Sequence, residues 1–197
     1  MKILTTLILV MLTSHSYAAS GGLFVEPYAT YESGTAEMNL GTDGDPDGDL
    51  EGWGAGLRLG LHAGDIFFVG LDGMYSEPDF KDDSGDSFDF DTKSWLLGPV
   101  VGLQTPFAGL RIWGAYMLAG EIELDKTDDA FNIAYKDPKI FKLGAGLRIG
   151  VVSLNLECLS GTYEKVEVKN AGPFSGTYDS ELDRDSYILS LSFPFSL

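Results

Sequence analysis

The sequence predicts an all-β protein: an eight-stranded antiparallel up-and-down transmembrane β-barrel preceded by a cleaved signal peptide. Three observations carry that expectation. Apolar or aromatic residues recur at every second position through eight segments, and no long stretch shows a 3.6-residue period. The connections between the segments alternate between short and long. The net charge of −17, from 13 Lys+Arg and 30 Asp+Glu, sits almost wholly in the long connections. Counted as Lys/Arg minus Asp/Glu, the intervals Ser33–Leu50, Ser76–Thr92, Leu124–Pro138 and Gly161–Ser186 carry about −5, −6, −2 and −3. A soluble β-protein spreads charge along its solvent-facing strand positions, whereas a barrel in lipid exports it to the loops.

The N-terminus reads as a secretory signal over residues 1–18, with the barrel domain over 19–197. Lys2 is the positive n-region, Ile3–Leu12 the apolar h-region, and Ser16-Tyr17-Ala18 a small-x-small cleavage site. An apolar run of about ten residues is too short for a bilayer-spanning helix, which needs ~20. Cys158 is the only cysteine, so the chain forms no intramolecular disulfide and offers no cysteine-based metal site. A pI near 4.2 excludes nucleic acid as a partner, because phosphates would repel the chain.

The eight strands are expected at about 23–32, 51–62, 66–76, 92–104, 109–123, 139–150, 152–163 and 185–197. Each is long enough to cross a bilayer with tilt, which takes ~9–11 residues. The links 63–65, 105–108 and 150–152 are tight, with Gly64, Asp65 and Pro106 as turn residues. An even strand number lets the ends meet, so that no edge is left unpaired in lipid.

Face by face the alternation is consistent. On the second strand Trp53, Ala55, Leu57, Leu59 and Leu61 point one way, and Gly52, Gly54, Gly56, Arg58, Gly60 and His62 the other. The fourth strand groups Trp95, Leu97, Pro99, Val101 and Leu103. The fifth groups Leu110, Ile112, Tyr116, Leu118 and Ile122, and the last Tyr187, Leu189, Leu191, Phe193, Phe195 and Leu197. Tyr31, Trp53, Tyr75, Trp95 and Tyr187 fall on these faces at the loop-proximal ends, and Phe67 and Phe195 near the opposite ends. Two aromatic girdles at head-group depth follow from that spacing. The alternative is the buried stripe of a lipocalin-like or sandwich fold, but the opposite faces hold too much Gly and Ser for a water-exposed surface. A short repeat, Gly54-Ala55-Gly56-Leu57-Arg58-Leu59-Gly60 and Gly144-Ala145-Gly146-Leu147-Arg148-Ile149-Gly150, places its glycines on the lumen face, where room is scarce.

The same parity sends Glu26, Arg58, Asp72, Arg111, Arg148 and Glu157 into the lumen, with Glu121 and Glu123 nearer the loops. Charges in a narrow interior persist only if paired and hydrogen-bonded. Two readings stand: a structural plug of Arg–carboxylate pairs, or a charge-lined pore. An eight-stranded barrel is just wide enough for side chains to fill it, which favours the plug. No enzyme is expected. Apart from His15 in the signal, the only histidine is His62, at the short-turn end of its strand, so no Ser-His-Asp set is available near the long loops. No cofactor is expected either. In the first long loop, Asp43, Asp45, Asp47 and Asp49 match the opening of a calcium loop, but Gly54 stands where a bidentate Glu is required. The choice there is between a solvated acidic loop and weak divalent-cation binding. Cys158 falls on the lipid-facing parity as a small apolar filler.

With these features, and with its terminal Tyr187-x-Leu189-x-Leu191-x-Phe193-x-Phe195-x-Leu197, the chain resembles the small outer-membrane β-barrels of the OmpA/OmpX type over its whole mature length. The resemblance implies a Gram-negative outer-membrane location, loops extracellular and both termini periplasmic. It implies that the barrel-assembly machinery reads the terminal strand (Tyr187, Phe193, Phe195, Leu197), although Leu197 stands where the family usually ends in Phe or Trp. Outer-membrane lipid and lipopolysaccharide are the implied surroundings; the sequence names no extracellular partner. The expected role is non-enzymatic, in envelope integrity or surface interaction. The alternative is a narrow porin-like pore or a conduit for hydrophobic solutes, as OmpW-like barrels are thought to provide.

Overall fold

The computed structural model describes residues 22–39, 47–64, 66–82, 89–105, 109–125, 132–169 and 175–197. The signal segment, Asp43, Asp45, Asp65 and Pro106 lie outside them. Among the described residues ten strands form one antiparallel sheet: β1 (Leu23–Asn39), β2 (Asp47–Ala63), β3 (Phe67–Asp82), β4 (Asp89–Gln104), β5 (Leu110–Met117), β6 (Ala119–Asp125), β7 (Asn132–Ile149), β8 (Val152–Lys169), β9 (Gly176–Ser192) and β10 (Phe195–Ser196). β5 and β6 are two halves of one crossing, and β10 continues β9, so the ring has eight crossings. Each strand pairs with its sequence neighbour, and β1 closes the ring by pairing with β9 from Tyr28↔Ser192 to Asn39↔Glu181. That closure leaves no strand edge to face hydrocarbon, where an unpaired backbone group costs several kcal/mol.

The short connections are built as tight turns. Ile149 pairs with Val152 across Gly150-Val151, and Gly150 at φ 66 supplies the positive φ that a two-residue type II′ loop needs at its first central position. The closing strand does not run unbroken to the C-terminus. Pro194 has no N–H to donate, so the ladder pauses: Phe193 N–H donates to Pro27 O at 2.9 Å, and pairing resumes as Phe24↔Ser196 and Val25↔Phe195.

Side-chain alternation gives two opposite surfaces. Leu57, Leu59, Leu61, Val69, Leu71, Leu97, Val101, Leu103, Leu154, Leu156, Leu189 and Leu191 are exposed on the outside. An apolar surface of that extent marks contact with a non-aqueous phase. Trp53, Tyr75, Trp95 and Tyr187 stand out along its long-loop rim, with Tyr31 packed edge-on against Trp53 at a centroid distance of 5.0 Å. Tyr75 OH donates to Glu77 at 2.7 Å and Trp95 Nε1–H to Glu121 at 3.0 Å. Both rings thus turn their polar ends away from the apolar band, as amphipathic rings at head-group depth do. Phe67, Phe193 and Leu197 are exposed at the other rim, and Phe195 is half-buried.

Two expectations are corrected here. The strands run well past the girdle, to 16–18 residues on several crossings. Much of the acidic charge assigned to loops therefore lies on outward-facing strand positions, among them Glu37, Asp49, Asp79 and Asp183. Second, the alternation of the fifth crossing does not continue to its end. Three irregularities sit on neighbouring strands: the break at Leu118 with Gly120, Asp137 at φ 56, and the register shift between Tyr163 and Lys165. A bulge adds one residue and exchanges the two faces beyond it. Ile122, expected on the lipid face, is buried inside at 1% exposure. Glu121 and Glu123, expected inside, pair on the outside with Lys136 at 3.6 Å and Lys169 at 2.7 Å.

This exchange yields a direct test. Ile122→Asp should bury a carboxylate without a partner and lower the stability of the refolded barrel by ~3 kcal/mol or more. Glu121→Gln should change it by less than about 1 kcal/mol, since exposed pairs contribute little. Urea unfolding followed by the heat-dependent gel shift measures both, and the opposite ranking would rule out the face exchange.

Candidate functional site: the barrel lumen

The lumen is filled in layers. Nearest the short turns, Phe24 and Phe68 meet edge-on at 5.6 Å, with His62 against Phe24 at 5.0 Å. Above them Arg58 occupies the centre of an ionic cluster. Its guanidinium donates to both oxygens of Glu157 at 2.8 and 2.9 Å, to Asp72 at 3.3 Å and to Glu26 at 3.4 Å. Arg111 grips Glu26 with two parallel bonds of 2.7 Å. Lys142 reaches Asp72 at 2.5 Å and Glu157 at 3.2 Å. Tyr28 OH donates to Asp72 at 2.6 Å, and Ser190 Oγ to Glu157 at 2.8 Å. Three carboxylates thus face three cations, all fully or almost fully buried. The cluster closes at zero net charge, the condition under which buried ions persist.

The short repeat explains how a guanidinium fits there. Arg58 is stacked between two rings, 4.6 Å from the Tyr28 centroid and 4.5 Å from that of Trp113. The Tyr28 ring lies against Gly56 and the Trp113 ring against Gly144, so closely that a Cβ at either glycine would overlap the ring. One glycine from each heptad, at the third position of the first and the first position of the second, makes the space for the rings, and the rings hold the arginine flat.

A second cluster lies nearer the long loops. Arg184 holds Glu32 through bonds of 2.6, 2.7 and 3.0 Å, and donates to Ser94 Oγ at 2.8 Å and Tyr163 OH at 3.1 Å. Between the two clusters Met74, Leu96, Leu159 and Ile188, from β3, β4, β8 and β9, are all buried, together with Thr30 of β1. Beyond Arg184, Leu50, Phe80, Ile122, Leu124, Tyr135 and Leu182 fill the interior.

Of the six lumen charges expected from sequence, Glu26, Arg58, Asp72, Arg111 and Glu157 come together. Arg148 does not join them: it is only half-buried, at the mouth of the barrel, where its Nε–H donates to Gly150 O at 3.0 Å. Parity gives a residue's face but not its depth, and Arg148 is one position from the turn. Three participants were missed. Lys142 has the lumen parity of the seventh strand and was legible from it. Glu32 is the last residue of the first expected strand and has the lumen parity of Glu26, whereas Arg184 lies one residue outside the last expected strand. In the acidic first loop, Asp47 and Asp49 sit on the outward face at the start of β2, and the described residues contain no cluster of metal-ligating side chains. Cys158 is exposed on the outer face.

No protein-family model matches the chain, and no curated protein sequence matches it. Among solved structures it is similar to the outer membrane protein OprG from Pseudomonas aeruginosa, at 10% identity over 92% of this chain and 99% of that one, TM-score 0.48. It is also similar to Neisserial surface protein A, at 14% identity over 87% and 98% of the two chains, TM-score 0.48. A third is Ail, the attachment invasion locus protein of Yersinia pestis, at 13% identity over 88% and 99%, TM-score 0.45. The closed ring of eight crossings and its apolar outer band make the chain an outer-membrane-type β-barrel.

The lumen geometry ranks the arginines. Arg58→Ala strands carboxylates on three sides and should cost ~3–5 kcal/mol, as loss of one partner of a buried pair does. Arg148→Ala removes a half-exposed group with no carboxylate partner among the described residues and should cost less than about 1 kcal/mol. Chemical denaturation of the two refolded variants measures the difference, and equal losses would contradict the network.

Proposed function

We propose that the protein is a non-enzymatic integral outer-membrane protein whose barrel is sealed. On this reading it serves envelope integrity or surface interaction through the acidic wall and loops it holds outside the membrane. One observation carries the reading: neutral clusters of paired ionic side chains and a largely apolar layer fill the lumen, in place of a continuous polar or apolar path. An ion entering would have to shed most of its hydration at Met74, Leu96, Leu159 and Ile188, where a single hydroxyl, that of Thr30, faces it. The absence of an enzyme role is supported by His62, which packs among Phe24 and Phe68 at the short-turn end. We place the long connections outside the cell and both termini in the periplasm. The surrounding lipid and lipopolysaccharide, and the barrel-assembly machinery reading Tyr187, Phe193, Phe195 and Leu197, complete the setting.

Planar-bilayer recording tests the seal. The wild-type barrel should conduct almost nothing, and Arg58→Ala combined with Glu157→Ala should open stepwise currents. Large wild-type currents, with only ion selectivity changed in the variant, would replace the sealed barrel by the pore alternative. Orientation is read on intact cells in a Cys158→Ser background. A cysteine at Ser84 should react with a membrane-impermeant thiol reagent and one at Asp65 should not; the reverse pattern would invert the barrel. For assembly, Phe193→Ser with Phe195→Ser should abolish the heat-modifiable folded form in the outer membrane. Normal insertion of that variant would show that the terminal strand is not the signal.

A further inference from the structure

The outer wall is electrically lopsided. Above the girdle, the outward positions of β9, β1 and β2 present Asp179, Glu181, Asp183, Asp185, Glu37 and Asp49, without a lysine among the described outward residues of those strands. The outward positions of β4, β7 and β8 present Lys93, Lys136, Lys139, Lys165 and Lys169, interleaved with carboxylates. Lys136 lies 2.5 Å from Glu167, Lys169 lies 2.7 Å from Glu123, and Lys139 and Lys165 meet Glu164 and Asp137. The hydrogen bond from Lys136 holds Glu167 below the usual carboxylate range. An ammonium has three donors, so Lys139 and Lys165, each on one carboxylate and about half exposed, keep donors for a further acceptor.

Directly below on the same strands, the apolar band is not smooth. A groove of about 620 Å³ runs over Gly114 and Ala145, walled by Val101, Ile112, Leu143 and Leu156. That volume is in the range of sites that enclose a small ligand, ~300–1,000 Å³. Ala145 is six residues along β7 from Lys139, about 20 Å at ~3.3 Å per residue. With a strand tilt of ~35–45° this is about 15 Å of depth, half of a ~30 Å hydrocarbon core. That depth is within reach of an acyl chain anchored at the lysines.

From the lysines and the groove beneath them we infer that β5, β7 and β8 form a binding site for an acylated, phosphorylated glycolipid of the outer leaflet, one acyl chain in the Gly114–Ala145 groove and a phosphate on Lys139 and Lys165. The acidic wall on β9, β1 and β2 offers phosphate no lysine and leaves the β7–β8 side of the barrel as the docking face, bordered by Asp179 across from Lys165. The inference rests on the proposed orientation, which puts the lysines at the outer-leaflet surface.

Native mass spectrometry of the refolded barrel titrated with bis-phosphorylated lipid A tests it. Wild type should retain one lipid A per barrel, with dephosphorylated lipid A and phosphatidylglycerol binding about tenfold more weakly, roughly 1.4 kcal/mol. Gly114→Leu fills the groove; a Cβ there meets only ordinary contacts, 3.4 Å to the Phe141 ring, so the fold should be kept. That variant, and Lys139→Gln with Lys165→Gln, should each reduce retention by a similar factor, with the heat-dependent gel shift confirming that they fold. Retention unchanged in both variants would overturn the site, and phosphatidylglycerol bound as tightly as lipid A would overturn the assignment to a glycolipid. The measurement in detergent does not depend on orientation, which the Ser84 and Asp65 labelling reports separately, so the two readings fail distinguishably.

Discussion

Backbone amides in hydrocarbon have no water to bond, and a sheet there must therefore close on itself. Closing it with eight crossings leaves a lumen only as wide as a few side chains. The remaining features follow from these two limits. The seam between β1 and β9 must pair along its length, and where Pro194 withholds an N–H the chain recovers through Phe193 to Pro27 O and Leu197 to Leu23 O. The inside must be filled without overfilling, so four of the large lumen rings are each met by a glycine. Phe24 lies over Gly60, Phe68 over Gly102, Tyr28 over Gly56 and Trp113 over Gly144.

A filled lumen also fixes where charge can be. Inside, cations and carboxylates must cancel locally because neither water nor counter-ions dilute their fields. Arg58, Arg111 and Lys142 against Glu26, Asp72 and Glu157, and Arg184 against Glu32, meet that condition within two separate clusters. The large negative charge of the chain is consequently displaced to the wall and loops beyond the girdle, where solvent screens it. The acidic composition therefore describes the exposed surface; the interior is neutral.

How much of this could be read in advance depended on what alternation records. It records a face, so Arg58, Glu26, Asp72, Arg111 and Glu157 were all assignable to the lumen, and Lys142 would have been by the same rule. It does not record depth, and Arg148 was placed in a network whose lowest member, Arg111, pairs opposite Gly146, one lumen position above it. Nor does it survive an inserted residue: Ile122, Glu121 and Glu123 were assigned to the wrong faces because nothing in the spacing announces the break at Leu118. Glu32, at the end of the first expected strand, was assignable by that rule too, and Arg184 was lost for a different reason. The strand ends were set by the thickness of a bilayer, whereas these strands continue into water, where outward charges interrupt no apolar pattern that would have signalled their length.

The row of bulges is best understood from what each face must satisfy on either side of the membrane surface. Within lipid the outside must be apolar and the polar residues turn inward. Above the girdle the demand reverses: the outside meets water and must be polar, and the inside of a still-narrow barrel must be packed with apolar groups. On β2 the reversal is made by composition, with Trp53 followed outward by Glu51 and Asp49, and Gly52 inward by Leu50, at unchanged parity. On β5 to β8 it is made by register, a local irregularity on each crossing turning Ile122, Tyr135 and Val166 inward and Glu121, Lys136 and Glu167 outward. Both routes end in the same cross-section, charged outside and apolar inside, which is that of a soluble β-barrel standing on a membrane-embedded one. The bulges are therefore expected at the girdle, where the surrounding medium changes, and Trp95 with its bond to Glu121 marks that level on the neighbouring strand.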